Sequence, residues 1–452
     1  MTAPFDGSNP NGVGASPLRK EDARHLAGRG LFVSDIPPGN VLEAAIVRSP
    51  VAHGHLRGID TSAVPAGCHV LTGADFPDIG AIRAVPRVPG FKASDFPIFA
   101  TGKVRYVGQP IAICLAPTRA AAEDLVQLVA LDIDELPAIT EMRDATTRKD
   151  PLLHESWGDN IFVERQVAGG DIAAARAAAE VTVTNEFRMN RHAAIPLEGR
   201  AALAMWDNRR DELVLNLATQ APHMMRVAIA EILGLKERQL RVVSPDVGGG
   251  FGSKNRLMPE EVMVAAAAIK FGRPVRWLED RRENITANNQ AREHWYRITA
   301  YAGKTGRILG IEADVIVDAG AYSIWPSGPF METGMAARNL PGRYRIPALL
   351  AETWTVATNK PPLGPYRGVA RPGACFAIER TLDEVARAVG RDPYDVRREN
   401  MVSADQMPFT GAGGMQFDNG DYPESVRKAA EAAGMACVRR RQSNGAENGR
   451  LV

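Results

Sequence analysis

Only four of the 452 residues are cysteine, at positions 68, 114, 375 and 437. No two of them form a C-x-x-C pair, so neither a zinc site nor ligands for an iron–sulfur cluster are encoded. Unpaired cysteines buried in a reducing cytoplasm are the expectation. The chain also lacks an apolar run of about 18 residues, which excludes an ordinary membrane-spanning helix. Charge of either sign is not in excess: 54 basic against 53 acidic residues leave +1. That removes the electrostatic case for nucleic acid and for a membrane surface. Residues 1–15 are polar and carry no apolar core, so they read as a disordered lead rather than a secretory signal. A cytoplasmic protein with no membrane insertion is the expectation.

What is present is a long, ordinary globular composition, 45% hydrophobic and 24% charged. It has room for two or three domains and a substantial core. The stretch that organises it is Val247-Gly248-Gly249-Gly250-Phe251-Gly252-Ser253-Lys254. It follows a β-rich run and precedes an Ala-rich helical run that opens near Pro259. Strand, glycine turn, helix is an arrangement that aims backbone N–H groups at an anion. It is not a Walker A loop, since the order is Gly-Ser-Lys, and its spacing is not G-x-G-x-x-G. A second loop lies far downstream, Pro365-Tyr366-Arg367-Gly368-Val369-Ala370-Arg371-Pro372. It sets arginines and an aromatic on a Gly/Pro-shaped turn.

Strands and helices alternate through the chain, an α/β (α+β) pattern. A first domain is expected over 16–142. It has a buried strand from Val41, ended at Pro50, and a helical period through Ala122, Leu125, Val126 and Val129. His53 and His55 have no third ligand nearby and read as packing, not metal. Residues 143–170 read as a polar linker. The second domain is expected over 171–452, opening with Asp171 as a helix cap. It continues through a hairpin around 303–306 and helices over 260–271, 376–389, 393–401 and 423–433.

Together the two loops resemble those of the molybdopterin-binding large subunits of the xanthine oxidase and aerobic carbon monoxide dehydrogenase family, the molybdenum hydroxylases. Arg48-Ser49-Pro50 with Ala52-His53, the segment 104–116, Pro196-Leu197-Glu198-Gly199-Arg200 and Thr219-Gln220-Ala221-Pro222-His223 match further segments of that family. The resemblance implies an α/β hammerhead domain followed by the first molybdopterin-binding domain. It implies that Gln220, Gly249, Gly250, Phe251, Gly252 and Arg367 hold the cofactor. Gln220 would donate to the molybdenum oxo group, and the N–H groups of Phe251 and Gly252 would help. Arg367 would offset growing negative charge. Lys254 reads as solvated or paired to a carboxylate, Glu198 as a structural salt-bridge residue that could otherwise line the site, and Arg371 as structural.

Asn255, Gly368 and Val369 are the expected substrate pocket. Asn255 stands where xanthine-type enzymes carry a glutamate, which disfavours purines. Gly368 stands where copper-containing carbon monoxide dehydrogenases carry a cysteine, which leaves no thiolate for copper. An aldehyde or an N-heteroaromatic compound remains as the small-molecule substrate, with water as the oxygen source.

The family's base, a glutamate, lies in a second cofactor-binding half that has no counterpart here, so no catalytic side chain and no metal-ligating side chain is expected in this chain. The implied cofactor is molybdopterin, in its cytosine dinucleotide form. The implied partners are a second-half molybdopterin-binding polypeptide, a [2Fe–2S] small subunit and an FAD-binding medium subunit. A truncated, non-catalytic remnant that only binds partners is the alternative reading.

Overall fold

Strands buried on both faces mark the centre of the molecule. Apart from Glu43 and Arg48, Leu42–Arg48 and Pro110–Ala116 are apolar without alternation, and all but Arg48 of these residues are buried. They pair antiparallel, Ala45 opposite Cys114. The computed structural model describes residues 15–85 and 87–445. Apart from Ala15, the expected N-terminal lead lies outside the described residues.

A seven-stranded sheet runs in the order Leu240–Val243, Glu212–Leu217, Ala201–Asp207, Val275–Leu278, Leu42–Arg48, Pro110–Ala116, His69–Leu71. Leu42–Arg48 lies parallel to Val275–Leu278, with Leu42 opposite Val275. One sheet thus takes strands from both ends of the region before and after the expected linker. The helix Pro259–Phe271 packs on it against Ala201–Asp207 and Val275–Leu278. Its residues from Pro259 through Ala268 are all buried, as a helix without a polar stripe must be. Gly272, at φ +59°, ends it.

A second sheet of five strands runs in the order Val181–Met189, His294–Ala302, Ile308–Asp318, Leu349–Val356, Ile161–Gly169. The helices Phe330–Arg338 and Arg371–Ala388 pack against it. Val181–Met189 alternates half-buried and exposed along its whole length, the mark of a strand with one wet face.

Three expectations change. The stretch 143–170 is not linker throughout, because Ile161–Gly169 is an edge strand paired antiparallel to Leu349–Val356. Glu164-Arg165-Gln166 breaks the apolar alternation there, and all three side chains are exposed. The helix expected over 376–389 begins earlier, at Arg371, and runs to Ala388. Of the four free cysteines, Cys114 is buried and Cys68 half-buried, whereas Cys375 and Cys437 are exposed on their helices.

Buried charge fastens the glycine-loop helix to the sheet. Glu260, wholly buried, accepts from Arg48 Nη1 at 2.7 Å and Arg200 Nη1 at 2.8 Å. Arg200, 2% exposed, also holds Glu279 at 2.8 Å and stacks on Trp277, 5.0 Å from the ring centre. Burial pushes Glu260 up, but the charges of Arg200 and Arg48 outweigh it and hold its carboxyl below the ordinary range. Breaking such a group by removing one partner costs far more than the group contributes, since a buried charge is left uncompensated. Arg200→Met is therefore expected to lower the unfolding free energy by about 3–5 kcal/mol, read by urea denaturation. A loss below about 1 kcal/mol, the scale of a surface pair, would contradict it.

Candidate functional site

The glycine loop does not run straight into its helix. Ser253–Asn255 forms a 3-10 turn, and the helix begins only at Pro259. Glu260 and Glu261 fill the first turn of that helix, and Glu261 accepts the Met258 N–H at 3.2 Å. The helix dipole is thus answered by the chain's own carboxylates, and any anion would meet the loop itself.

The loop alternates in hand. Gly249, Phe251 and Gly252 have φ of +90°, +52° and +107°. Such alternation turns successive N–H groups to one side. Gly249 N–H donates to the Val247 carbonyl at 2.9 Å, and Gly252 N–H to Gln220 Oε1 at 2.9 Å. The N–H groups of Gly250 and Phe251 have no partner among the described residues. The two donors left over are therefore Gly250 and Phe251, not Phe251 and Gly252 as expected from the sequence. Phe251 is 44% exposed, its ring standing off the surface.

The glycines are required by what surrounds them. A Cβ on Gly250 would lie 2.5 Å from Gln220 Oε1, and one on Gly252 would lie 2.7 Å from the Pro365 carbonyl oxygen. That second contact is where the two distant loops meet. Arg367 N–H donates to the Phe251 carbonyl at 2.9 Å. Gln220 reaches the same place from the opening of the helix Pro222–Ile232. Its own N–H donates to the Lys254 carbonyl at 3.0 Å, which Thr219 Oγ1 also contacts at 3.0 Å. Gln220, Gly249, Gly250, Phe251, Gly252 and Arg367 are thus one assembly.

The expected pocket residues do not converge as tightly. Asn255 Oδ1 is buried without a partner. Gly368 has φ +96°, and a Cβ there would crowd the Pro372 ring at 3.0 Å, so both the backbone and the contact oppose a cysteine. A cavity of ≈ 80 Å³ beside the arginine loop is lined by Val369 but by neither Asn255 nor Gly368. A cavity of ≈ 780 Å³ lies elsewhere, between Arg143 and Trp295, Trp354 and Asp314 of the five-stranded sheet. No loop residue lines it, so volume is a poor guide here and the unspent donors are the better one.

Two supports were not anticipated. One is the segment 288–292. Asn289 Nδ2 donates to the Ser253 carbonyl at 3.0 Å, and Gly364 N–H to the Gln290 carbonyl at 2.7 Å. Arg292, at φ +62°, donates through Nη2 to the Tyr366 and Arg367 carbonyls and lies over the Tyr366 ring, 4.3 Å from its centre. This segment braces both loops. Its available signal is the amide run Asn288-Asn289-Gln290, unusual between a helix and a strand. The other support is Asp246, which binds Arg24 and accepts the Leu31 N–H at 2.7 Å, tying the N-terminal segment to the loop's entry. Lys254, 2% exposed, pairs with Glu198 Oε2 at 2.8 Å, and that oxygen also accepts Gly248 N–H at 2.7 Å. The carboxylate partner expected for Lys254 and the salt bridge expected for Glu198 are thus one pair.

Comparison with known proteins agrees with this architecture. Residues 153–401 match the family model for a molybdopterin cofactor-binding domain. Residues 27–137 match that for the aldehyde oxidase and xanthine dehydrogenase a/b hammerhead domain. The large subunit of nicotine 6-hydroxylase from Paenarthrobacter nicotinovorans is 36% identical over 98% of this chain and 54% of its own length. The large chain of carbon monoxide dehydrogenase from Hydrogenophaga pseudoflava is 32% identical over 98% of this chain and 57% of its own. The crystal structure of quinoline 2-oxidoreductase from Pseudomonas putida 86 superposes with a TM-score of 0.90 at 34% identity, over 95% of this chain and 55% of that one. A hammerhead domain joined to a molybdopterin-binding domain defines the large subunit of a molybdenum oxidoreductase. This chain belongs to the aldehyde oxidase and xanthine dehydrogenase family of molybdopterin-binding subunits. It spans about half the length of the first curated relatives it matches.

The brace generates a test. Hydrogen bonds from a charged donor contribute roughly 1.5–3 kcal/mol. Arg292→Met is expected to speed hydrogen exchange at the Arg367 amide by about tenfold or more relative to amides of the seven-stranded sheet. An unchanged Arg367 rate would show that Arg292 does not hold the loop. Gly252→Ala is expected to destabilise by about 1–3 kcal/mol, because φ +107° and the Pro365 carbonyl both oppose a Cβ. Unfolding within a few tenths of a kcal/mol of wild type would refute that.

Proposed function

We propose that this chain grips the metal end of a molybdopterin cofactor and forms part of an enzyme that oxidises an aldehyde or an N-heteroaromatic compound. The observation that carries this reading is the contact between the loops, Arg367 N–H to the Phe251 carbonyl at 2.9 Å. It brings the backbone of the arginine loop against the turn that carries the unspent N–H groups of Gly250 and Phe251. The donor set fits an anionic, oxygen-rich group. Arg292 and Arg367 have no carboxylate within ion-pair distance among the described residues.

Each residue then has a defined task. Gln220 Oε1 is occupied by Gly252 N–H, so its Nε2 is the donor left to face the bound group. Arg367 would offer its guanidinium to oxygens of the bound group. Lys254, Glu198 and Asn289 fix the loop so that no reorganisation is needed when charge develops. When bound, the cofactor supplies the two-electron redox chemistry, with water as the oxygen source.

Electrons would pass to a [2Fe–2S] small subunit and an FAD-binding medium subunit, and the pterin would be the cytosine dinucleotide form. A second-half molybdopterin-binding polypeptide would complete the site and bring the base. Support for a split arrangement comes from the large molybdopterin subunit of nicotinate dehydrogenase from Eubacterium barkeri. It is 27% identical, and this chain covers 96% of it. Leu197, 94% exposed beside the glycine loop, with Ile195 and Phe251, provides apolar surface for such a half. Asn255 and Val369 would border the substrate, with Gly368 behind them.

Co-expression of this chain with a polypeptide carrying the second cofactor-binding half is expected to yield a complex with about one molybdenum and one pterin per chain. In that complex Gln220→Ala and Arg367→Met are expected to lower kcat by about 100-fold or more. A stable complex without molybdenum or pterin would overturn the proposal and leave a non-catalytic subunit.

A further inference from the structure

Arg256 follows the glycine loop and is half-buried, yet it has only weak neutral partners. Nη1 reaches the Asn255 carbonyl and Nη2 the Ser327 hydroxyl, both at 3.3 Å. No carboxylate lies within ion-pair distance of it among the described residues. Burial alone acts on its pKa, pulling it below the ordinary arginine value. A charge removed from water without a partner costs several kcal/mol, and a fold retains it only against something it gains elsewhere.

The guanidinium lines the ≈ 80 Å³ cavity beside the arginine loop, together with Ser327, Met331, Met335 and Val369. Glu332 lines it too, but its Oε1 is held by His294 Nε2 at 2.9 Å. A water's share of volume is about 30 Å³, so the cavity has room for a head group of a few heavy atoms and not for a ring. The arginine loop forms its wall through Gly364, Pro365 and Val369, so a substrate body in front of Arg367 could send one substituent inward.

We propose that this cavity is a specificity subsite for a substrate carboxylate, with the Arg256 guanidinium as its counter-charge. The proposal rests on the substrate-oxidising reading above and narrows it to substrates that carry an anionic carboxylate. Two fixed N–H donors of one guanidinium match the two oxygens of a carboxylate. The methionines accept the apolar atoms next to it without demanding one shape. Asn255 and Gly368, which lie outside the cavity, would not select for charge.

The test uses the assembled complex and three probes of one size: benzoate, benzamide and benzamidine, titrated by calorimetry. Benzoate is expected to bind at least about tenfold more tightly than benzamide, the worth of one charge-assisted pair. Arg256→Met should remove that preference, leave benzamide unchanged, and leave the thermal unfolding midpoint unchanged or raised. A structural role for Arg256 would lower the midpoint instead. Equal binding of benzoate and benzamide, or a benzoate preference that survives Arg256→Met, would overturn the proposal. A preference for benzamidine would do so as well, by making Glu332 the operative charge. Molybdenum is measured in the same preparation. Molybdenum-loaded protein without a benzoate preference sinks this inference alone. Metal-free protein that still binds benzoate through Arg256 sinks only the redox reading.

Discussion

The site exists because one backbone hydrogen bond joins loops more than a hundred residues apart. Arg367 N–H reaches the Phe251 carbonyl, and Gly252 has no side chain to prevent it. Without that approach the glycine loop would be a tight turn with no link to the arginine loop. With it, the amides of Gly250 and Phe251 and the amide group of Gln220 lie against the backbone of the arginine loop. Irregular backbone of this kind, with Phe251 and Val369 both at positive φ, persists only where neighbours over-determine it. Here the neighbours are the 288–292 brace on one side and the Lys254–Glu198 pair on the other.

Buried charge supplies the rigidity behind the loops. Arg48 comes from the first domain and Arg200 from the strand side of the second, and both close on Glu260 at the start of the glycine-loop helix. The arrangement costs desolvation and is not an efficient source of stability. Its effect is positional. The helix cannot slide along the sheet without stranding a carboxylate, so the loop ahead of it keeps its place. The parallel pairing of Leu42 with Val275 does the same work in the backbone.

Much of this was legible in the chain. The glycine run, the Tyr-Arg-Gly turn and the segments around Arg48, Arg200 and Gln220 each carry residue types whose spacing their geometry demands. Their resemblance to segments of one family implied the hammerhead and molybdopterin-binding fold, and the family models match it. What stayed hidden was pairwise. Nothing in the sequence says that Gly252 N–H is spent on Gln220, because that depends on a side chain 32 positions away. The edge strand Ile161–Gly169 was concealed by the polar run Glu164-Arg165-Gln166, exposed on both of its faces. Arg292 looked like one arginine among many, since its role lies in the carbonyls it finds and not in a local pattern.

The central claim is spatial, so a spatial measurement tests it most directly. Anomalous diffraction at the molybdenum edge, on crystals of the assembled complex, locates the metal without regard to activity. The account predicts one peak per chain in the space faced by Gln220, Phe251 and Arg367. A peak away from that junction, on the five-stranded sheet for example, would contradict it.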